Sequence, residues 1–276
     1  MKQLLFALCL ATLPLSRAHA EFDHQHQAWN KLAKQTVVVS AGGSASRVRY
    51  RALAQDRDAL KSYLASLSGV SGAEFKGWSK AQQMAFLINA YNAFTIDKIL
   101  TRYPNLKSIR EFGNVFGNPW KDKFFKLLGH EASLDQIEHE MLRAKGAYED
   151  PRVHFALNCA SVGCPMLREE AYVAERLDAQ LEDQARRFLS DRSRNRYNPE
   201  TRVLEVSKIF DWYKEDWSSG YAGIGKNRVP IVSREQYFAR YSQLLSDKPD
   251  EQRLIGEQKA GIRFLDYDWN LNDAGP

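Results

Sequence analysis

The sequence predicts an α+β fold that is mainly helical around a small antiparallel sheet. The stretch SKAQQMAFLINAYNAFTIDKILTR (79–102) has apolar residues on nearly every side of a helix, which is typical of a helix packed inside a core. Two short stretches, TRVLEVSKIF (201–210) and IRFLDYDWNLN (262–272), have the composition of strands. Because strands and helices are mixed without a regular βα repeat, α+β is favoured over a parallel α/β sheet.

The composition is that of a globular protein with a mild positive charge. Of its 276 residues, 44% are hydrophobic, which is enough for a sizeable core, and the net charge of +5 comes from interleaved acids and bases. The densest basic cluster lies within 186–196 and is interpreted as a solvated helix end. We therefore expect no nucleic-acid partner.

The first twenty residues, MKQLLFALCLATLPLSRAHA, have the features of a secretory signal peptide. Lys2 precedes an apolar run, and Ala18-His19-Ala20 has the small-x-small form of a cleavage site. The run is shorter than the roughly 20 residues that span a bilayer. We expect cleavage after Ala20, a periplasmic or secreted protein, and no membrane span after signal removal.

Three parts of the chain are predicted: a signal peptide at 1–20, a leading helix with a flexible linker at 21–46, and a single globular domain at 47–276. The leading helix is HQAWNKLAKQT (26–36), which has amphipathic spacing, and SAGGSAS (40–46) has the composition of a linker.

The central helix at 79–102 is expected to begin with a capping box formed by Ser79 and Gln82. Asn89 and Asn92 lie three residues apart, on one face of this helix. A buried amide must be hydrogen-bonded, so these two side chains either clamp loop backbone or line a cleft as substrate-binding residues. The two roles are compatible.

The next segments predict a hairpin and a second capped helix. KDKFFKLLGHEASL (121–134) is expected to turn at Gly129-His130, and SLDQIEHEMLRAK (133–145) to start at Ser133. Glu138 and His139 are adjacent in this helix and point about 100° apart, whereas Asp135 shares the face of His139.

The stretch HFALNCASVGCPML (154–167) contains both cysteines that follow the signal peptide. VHFALNC (153–159) is predicted to be a buried strand, and Pro165 to open a helix that continues through YVAERLDAQLEDQARRFLSD (172–191). Cys164 would then stand at a helix start, where the helix dipole lowers the pKa of a thiol.

Three chemistries remain open for these sulfurs. Cys164 is a reactive thiol if His139 or His154 handles its proton. Export to an oxidising compartment favours instead a disulfide between Cys159 and Cys164. A zinc site formed by both histidines and both cysteines is the third alternative, although the spacing lacks the close pairs that are typical of zinc ligands.

Five separated segments resemble the uncharacterised family catalogued as domain of unknown function 547. They are QMAFLINAYNAFTIDKIL (83–100), SLDQIEHEMLR (133–143), DPRVHFALNCASVGCPML (150–167), SKIFDWYKEDW (207–217) and YDWNLN (267–272). The resemblance implies a bacterial envelope protein in a family also found in plants and animals, in which a cysteine, a histidine and a glutamate act together. The candidates here are Cys164 or Cys159, His139 or His154, and Glu138.

Some animal relatives are fused to glutaredoxin, which implies thiol- or glutathione-linked chemistry. We expect an exported thiol-dependent enzyme that resembles papain-like or transglutaminase-like enzymes in layout and acts on a small thiol or peptide-like substrate. Cys164 would attack an acyl group, a histidine would carry the proton, and a carboxylate or Asn92 would orient the imidazole. No cofactor or metal is expected. The alternatives are a non-catalytic binding protein with a structural disulfide and a glutathione-linked thiol exchange protein.

Overall fold

A computed structural model describes residues 21–113, 117–225 and 228–275. The expected signal peptide at 1–20 lies outside the described residues. Within the part of the chain that is described, no helix is both long and apolar enough to cross a bilayer.

The first half of the chain is mostly helical. Its helices are α1 (Gln27–Thr36), α2 (Tyr50–Gln55), α3 (Asp58–Gly69), α4 (Gly72–Gly77), α5 (Lys80–Leu100), a 3₁₀ turn (Ile109–Phe112) and a π-helix (Gln136–Leu142). Its strands form two antiparallel hairpins, β1 (Val37–Val39) with β2 (Ser46–Val48) and β3 (Phe125–Leu127) with β4 (His130–Ala132). The SAGGSAS stretch, expected to be a linker, connects β1 to β2 as a hairpin turn.

The second half contains the only three-stranded sheet among the described residues. Its helices are α6 (Val153–Ala156), a 3₁₀ turn (Ala174–Arg176), α7 (Leu177–Ser190), α8 (Ile209–Trp212), α9 (Arg234–Arg240), α10 (Ser242–Leu245) and α11 (Pro249–Gly256). Strand β5 (Arg196–Asn198) pairs antiparallel with β6 (Val203–Val206), and β6 pairs parallel with β7 (Gly261–Phe264). The predicted α+β class is confirmed. The parallel pair arises because α9 to α11 return the chain before β7.

Helix α5 is the centre of the larger core, as its sequence predicts. Every residue from 84 to 96 is buried. The capping box is present: Gln82 N–H donates to Ser79 Oγ (3.2 Å), and Ser79 N–H donates to Gln82 Oε1 (2.9 Å). Ser133 and Gln136 form the same box at the next helix, which adopts π geometry.

Two segments around the cysteines differ from their predicted structure. The predicted strand at 153–159 is wrong: its first part is helix α6, because a short buried apolar run does not distinguish a strand from a helical turn. The predicted helix at Pro165 is also wrong, since α7 begins only at Leu177. Side-chain amides hold the irregular backbone there instead, with Asn158 Nδ2 donating to the Pro165 carbonyl (2.8 Å) and Gln184 Nε2 to the Met166 carbonyl (2.6 Å).

Asn89 and Asn92 are buried and clamp loop backbone. Asn89 donates to the Tyr172 carbonyl (2.8 Å) and accepts from the Tyr172 amide (3.0 Å). Asn92 donates to the Ala156 carbonyl (2.9 Å) and accepts from the Asn158 amide (2.8 Å). Each side chain therefore pairs two buried backbone groups that no strand or helix partner satisfies.

Replacing Asn89 or Asn92 by Leu is expected to lower the free energy of unfolding by about 1–3 kcal/mol for each backbone group left unpaired. Urea unfolding followed by circular dichroism measures this loss. The control is Asn105→Leu, at an exposed asparagine just beyond α5. Equal stability of all three variants would contradict the clamping role.

Candidate functional site

The cysteines line a cleft of about 340 Å³ that lies between the π-helix, α6, α8 and the C-terminal segment. Besides the cysteines it is lined by Glu138, His139 and His154, and by six aromatic side chains: Tyr91, Trp120, Trp212, Tyr213, Tyr267 and Trp269. All five residues predicted to be catalytic therefore meet at one cleft. Asn89 and Asn92 do not line it, because their amides are held by the backbone behind it.

Cys159 and Cys164 form a disulfide. The zinc alternative is not assembled in this state, because the two sulfurs are bonded to each other. The loop between them is held against the C-terminal segment, where Gly163 N–H donates to the Asp268 carbonyl (2.8 Å). A Cβ atom at Gly163 would come within 3.0 Å of the Asp268 backbone, so the close approach requires glycine.

The Cys164 sulfur accepts two hydrogen bonds. The Cys159 backbone N–H donates to it (2.9 Å), and so does the Tyr267 hydroxyl (3.2 Å). Burial raises the pKa of Tyr267, so this hydroxyl remains a donor at neutral pH. Arg194 donates to the Cys164 carbonyl, so a positive charge lies beside the Cys164 backbone. These donors replace the helix dipole that the sequence predicted at this position.

His154 is held by a carboxylate from a distant part of the chain, Asp216. Its Nε2 atom lies 2.7 Å from Asp216 Oδ2, and its ring stacks on Tyr213 at 3.9 Å between centroids. Burial lowers the pKa of His154 despite the carboxylate. Burial alone would raise the pKa of Asp216, but the hydrogen bonds and charges of His154 and Arg143 lower it to about 2.

A neutral His154 beside an ionised Asp216 must carry its hydrogen on Nε2, because a carboxylate accepts hydrogen bonds. The Nδ1 lone pair is therefore available as a base. Among the described residues, no hydrogen bond to Nδ1 is present. His154 is thus the histidine with a free proton-accepting nitrogen.

His139 is engaged differently. Arg143 donates to its Nδ1 atom, and its Nε2 atom lies 3.8 Å from Asp135 Oδ1, the carboxylate predicted to share its face. The same Arg143 donates through Nε to Asp216 Oδ2 (2.7 Å). Because Arg143 occupies the Nδ1 lone pair, a neutral His139 has no nitrogen left to act as a base.

Glu138 is buried, at 7% exposure, and its charge acts on two aromatic hydroxyls and on His154. Burial is the main cause that raises the pKa of Tyr91 and of Tyr213. The negative charge of Glu138 and hydrogen bonding to its carboxylate raise both values further. In the described chain no ion pair involving Glu138 occurs, and no hydrogen bond joins a cysteine sulfur to either imidazole.

The fold and the cleft together define an α+β protein with a disulfide next to a histidine–aspartate pair. The family model described as a protein of unknown function, DUF547, matches residues 75–189, so the chain is similar to that family over this segment, as the resemblance of its motifs predicted. No curated protein and no solved structure matches the chain.

Asp216 and Tyr267 lie beyond the segment that the family model matches. Both were visible in the sequence only as members of the aromatic-acidic segments SKIFDWYKEDW and YDWNLN. Nothing in their local spacing indicates a contact with His154 or Cys164, since each contact joins residues far apart in the chain.

Replacing Asp216 by Asn is expected to lower the free energy of unfolding by about 1.5–3 kcal/mol at neutral pH, the range for hydrogen bonds to charged groups. A carboxyl with a lowered pKa stabilises the fold above its ordinary pKa and loses that effect as the pH falls toward about 2.

The stability gap between wild type and Asp216→Asn should therefore narrow from pH 7 to pH 3 in urea unfolding experiments. Asp211→Asn is the matched control, because its carboxylate is more exposed and pairs with a single surface lysine, Lys208. A gap that is constant with pH would contradict the ion-pair role of Asp216.

Proposed function

We propose that this protein is an exported thiol-dependent enzyme that transfers or hydrolyses acyl groups of a small peptide-like or glutathione-like substrate. Its nucleophile is Cys164 in the reduced form. The observation that carries the proposal is that Cys164 and the Asp216-held His154 line the same cleft. A cysteine, a histidine base and a carboxylate that orients the base are the components of nucleophilic acyl transfer.

Cys164 is the better nucleophile of the two cysteines because its sulfur accepts from the Cys159 amide and lies closer to the Tyr267 hydroxyl (3.2 Å) than the Cys159 sulfur does (3.4 Å). The Cys159 amide, the Tyr267 hydroxyl and the nearby Arg194 charge all favour a thiolate at this position. A papain-like or transglutaminase-like layout is part of the proposal, and it rests on this residue combination.

The reaction begins once two equivalents of an external thiol have reduced the disulfide: the first forms a mixed disulfide with the protein, and the second displaces it, giving two protein thiols and the disulfide of the reductant. His154 Nδ1 then takes the proton of Cys164, and the thiolate attacks the acyl carbon. The leaving group departs with the proton from His154, and a thioester to Cys164 remains. Water, deprotonated by His154, or an acceptor amine or thiol cleaves the thioester and restores Cys164.

The second candidate function is thiol–disulfide exchange, which the disulfide itself favours. Cys159 is half-buried whereas Cys164 is only 3% exposed, so an incoming thiolate reaches Cys159 first. Attack there breaks the bond to Cys164 and releases its sulfur as a thiolate among the hydrogen-bond donors described above. In this role both cysteines are required.

A periplasmic or secreted location belongs to the same proposal. It is supported by the signal-peptide features of residues 1–20 and by the disulfide, which is typical of oxidising compartments. The intact mass of the exported protein tests it, since the mature chain would begin at Glu21.

After reduction, iodoacetamide is expected to alkylate Cys164 with an apparent pKa below the ordinary thiol value of about 8.5, and below that of Cys159. Alkylation across pH, followed by peptide mass spectrometry, measures both values. Tyr267→Phe should raise the Cys164 value because it removes a donor to the sulfur. The control Tyr197→Phe, away from the cleft, should leave the apparent pKa of Cys164 unchanged. If Tyr267→Phe and Tyr197→Phe changed this pKa equally, the contact between Tyr267 and Cys164 would be contradicted.

The cysteine variants separate the two candidate reactions. Cys159→Ser keeps the backbone N–H and frees Cys164, so it should hydrolyse p-nitrophenyl acetate without reductant, whereas Cys164→Ser should be inactive. In the Cys159→Ser background, His154→Ala should lower kcat/KM by about 10²–10⁴-fold, the usual contribution of a general base.

Thiol exchange predicts a different pattern in the same proteins. Each serine variant should then lose turnover of a small disulfide reporter, and His154→Ala should retain most of it. Proteins that fail in both assays while remaining folded would indicate the non-catalytic binding protein with a structural disulfide.

A further inference from the structure

The π-helix places Glu138 on the lining of the cleft with 7% exposure. Within the described ranges, no nitrogen of a lysine, arginine or histidine lies within 4.0 Å of its oxygens. Its charge acts on two basic groups, Arg143 and His154. The Arg143 guanidinium is committed to Asp216 and His139, and His154 Nε2 is committed to Asp216. Glu138 is therefore a nearly buried carboxylate without its own cation.

Such an arrangement is energetically unfavourable unless a partner completes it. Removing a carboxylate from water costs free energy that hydrogen bonds from neutral hydroxyls offset only in part, so buried carboxylates are normally paired with cations. The carboxylate lines an open cleft, and a bound molecule with a positive group would supply the missing charge.

The rest of the cleft lining has the same preference. Six aromatic side chains line it, and guanidinium groups already lie over two of the rings, Arg143 over Tyr213 and Arg110 over Trp269. No lysine or arginine belongs to the cleft lining among the described residues. Aromatic faces attract ammonium groups through cation–π interactions, most strongly where water is excluded. The second carboxylate on the lining, Asp135, adds negative charge, whereas an anionic ligand would meet repulsion.

We propose that the cleft recognises molecules that bear a protonated primary amine, and that Glu138 with the surrounding aromatic rings forms the ammonium subsite. This inference rests on the proposed function only in naming the bound molecule as a substrate, which would then carry an acyl or thiol group together with a free amino group. Binding itself requires no reaction at Cys164. Glu138 is here a recognition residue, a role different from orienting a histidine.

Three phenyl probes of similar size test the charge preference: 2-phenylethylammonium, 2-phenylethanol and 3-phenylpropanoate. Titration into the oxidised full-length mature protein is followed by tryptophan fluorescence, since Trp120, Trp212 and Trp269 line the cleft. The ammonium probe should bind at least about tenfold more tightly than the alcohol, and the carboxylate probe should bind most weakly. Equal dissociation constants for the ammonium and the alcohol would overturn the proposal.

Glu138→Gln tests the residue assignment, because it keeps the shape and the hydrogen-bonding capacity while it removes the charge. This variant should lose most of the preference for the ammonium over the alcohol and keep only the part that the aromatic rings and Asp135 contribute. Glu140→Gln removes the same charge two residues further along the π-helix, at an exposed position outside the cleft lining, and should keep the tenfold preference. An ammonium preference as large in Glu138→Gln as in the wild type would overturn the assignment.

The two proposals fail separately in these experiments. If acyl transfer and thiol exchange are both absent but the ammonium preference depends on Glu138, the proposed function is wrong and the subsite stands. If Glu138→Gln does not fold, the wild-type comparison of the three probes still decides whether the cleft prefers a cation.

Discussion

Two side-chain amides on one buried helix hold the backbone that carries the cysteines. Asn92 bonds to Ala156 and Asn158, and Asn89 bonds to Tyr172, so the irregular stretch between α6 and α7 has its polar groups satisfied inside the core. Without these amides, the backbone N–H and C=O groups of that stretch would need hydrogen bonds from a neighbouring strand, and none of the small sheets of the described chain lies there to provide them. The positions of His154 and of both cysteines therefore depend on α5.

Asp216 determines how the two histidines differ. It binds His154 directly and binds His139 only through Arg143, so the same carboxylate orients one imidazole and anchors the cation that occupies the other. This arrangement decides which imidazole nitrogen keeps a free lone pair. A free Nδ1 remains on the buried histidine, whereas the more exposed His139 has both nitrogens engaged.

The cleft has two electrostatically different sides. Around Cys164, an amide, a phenol and a nearby guanidinium favour negative charge, and around Glu138 the carboxylate and aromatic faces favour positive charge. A substrate with a reactive acyl group and a free amine matches both sides. Cys164 chemistry and ammonium recognition therefore depend on different contacts within one cleft.

Local patterns in the sequence were sufficient for the elements that depend on near neighbours. The capping box of α5, its burial, the buried asparagines and the β3–β4 hairpin follow from spacing, caps and turn residues, and the structure confirms them. The cysteine-bearing stretch also drew attention by its composition, and all five residues predicted to be catalytic meet at one cleft.

Only the tertiary structure decided what those residues touch. The predicted strand at 153–159 and the predicted helix at Pro165 were wrong because side-chain amides from other elements satisfy the backbone there. Asn92 bonds to Ala156, 64 residues away, and Gln184 bonds to Met166, 18 residues away, and no local rule contains such partners. The pairing of His154 with Asp216, 62 residues later, and of Cys164 with Tyr267, 103 residues later, has the same origin. The sequence by itself determined which side chains are available for chemistry. Long-range packing determined their charges and partners, because both depend on burial and on contacts that form only when the chain is folded.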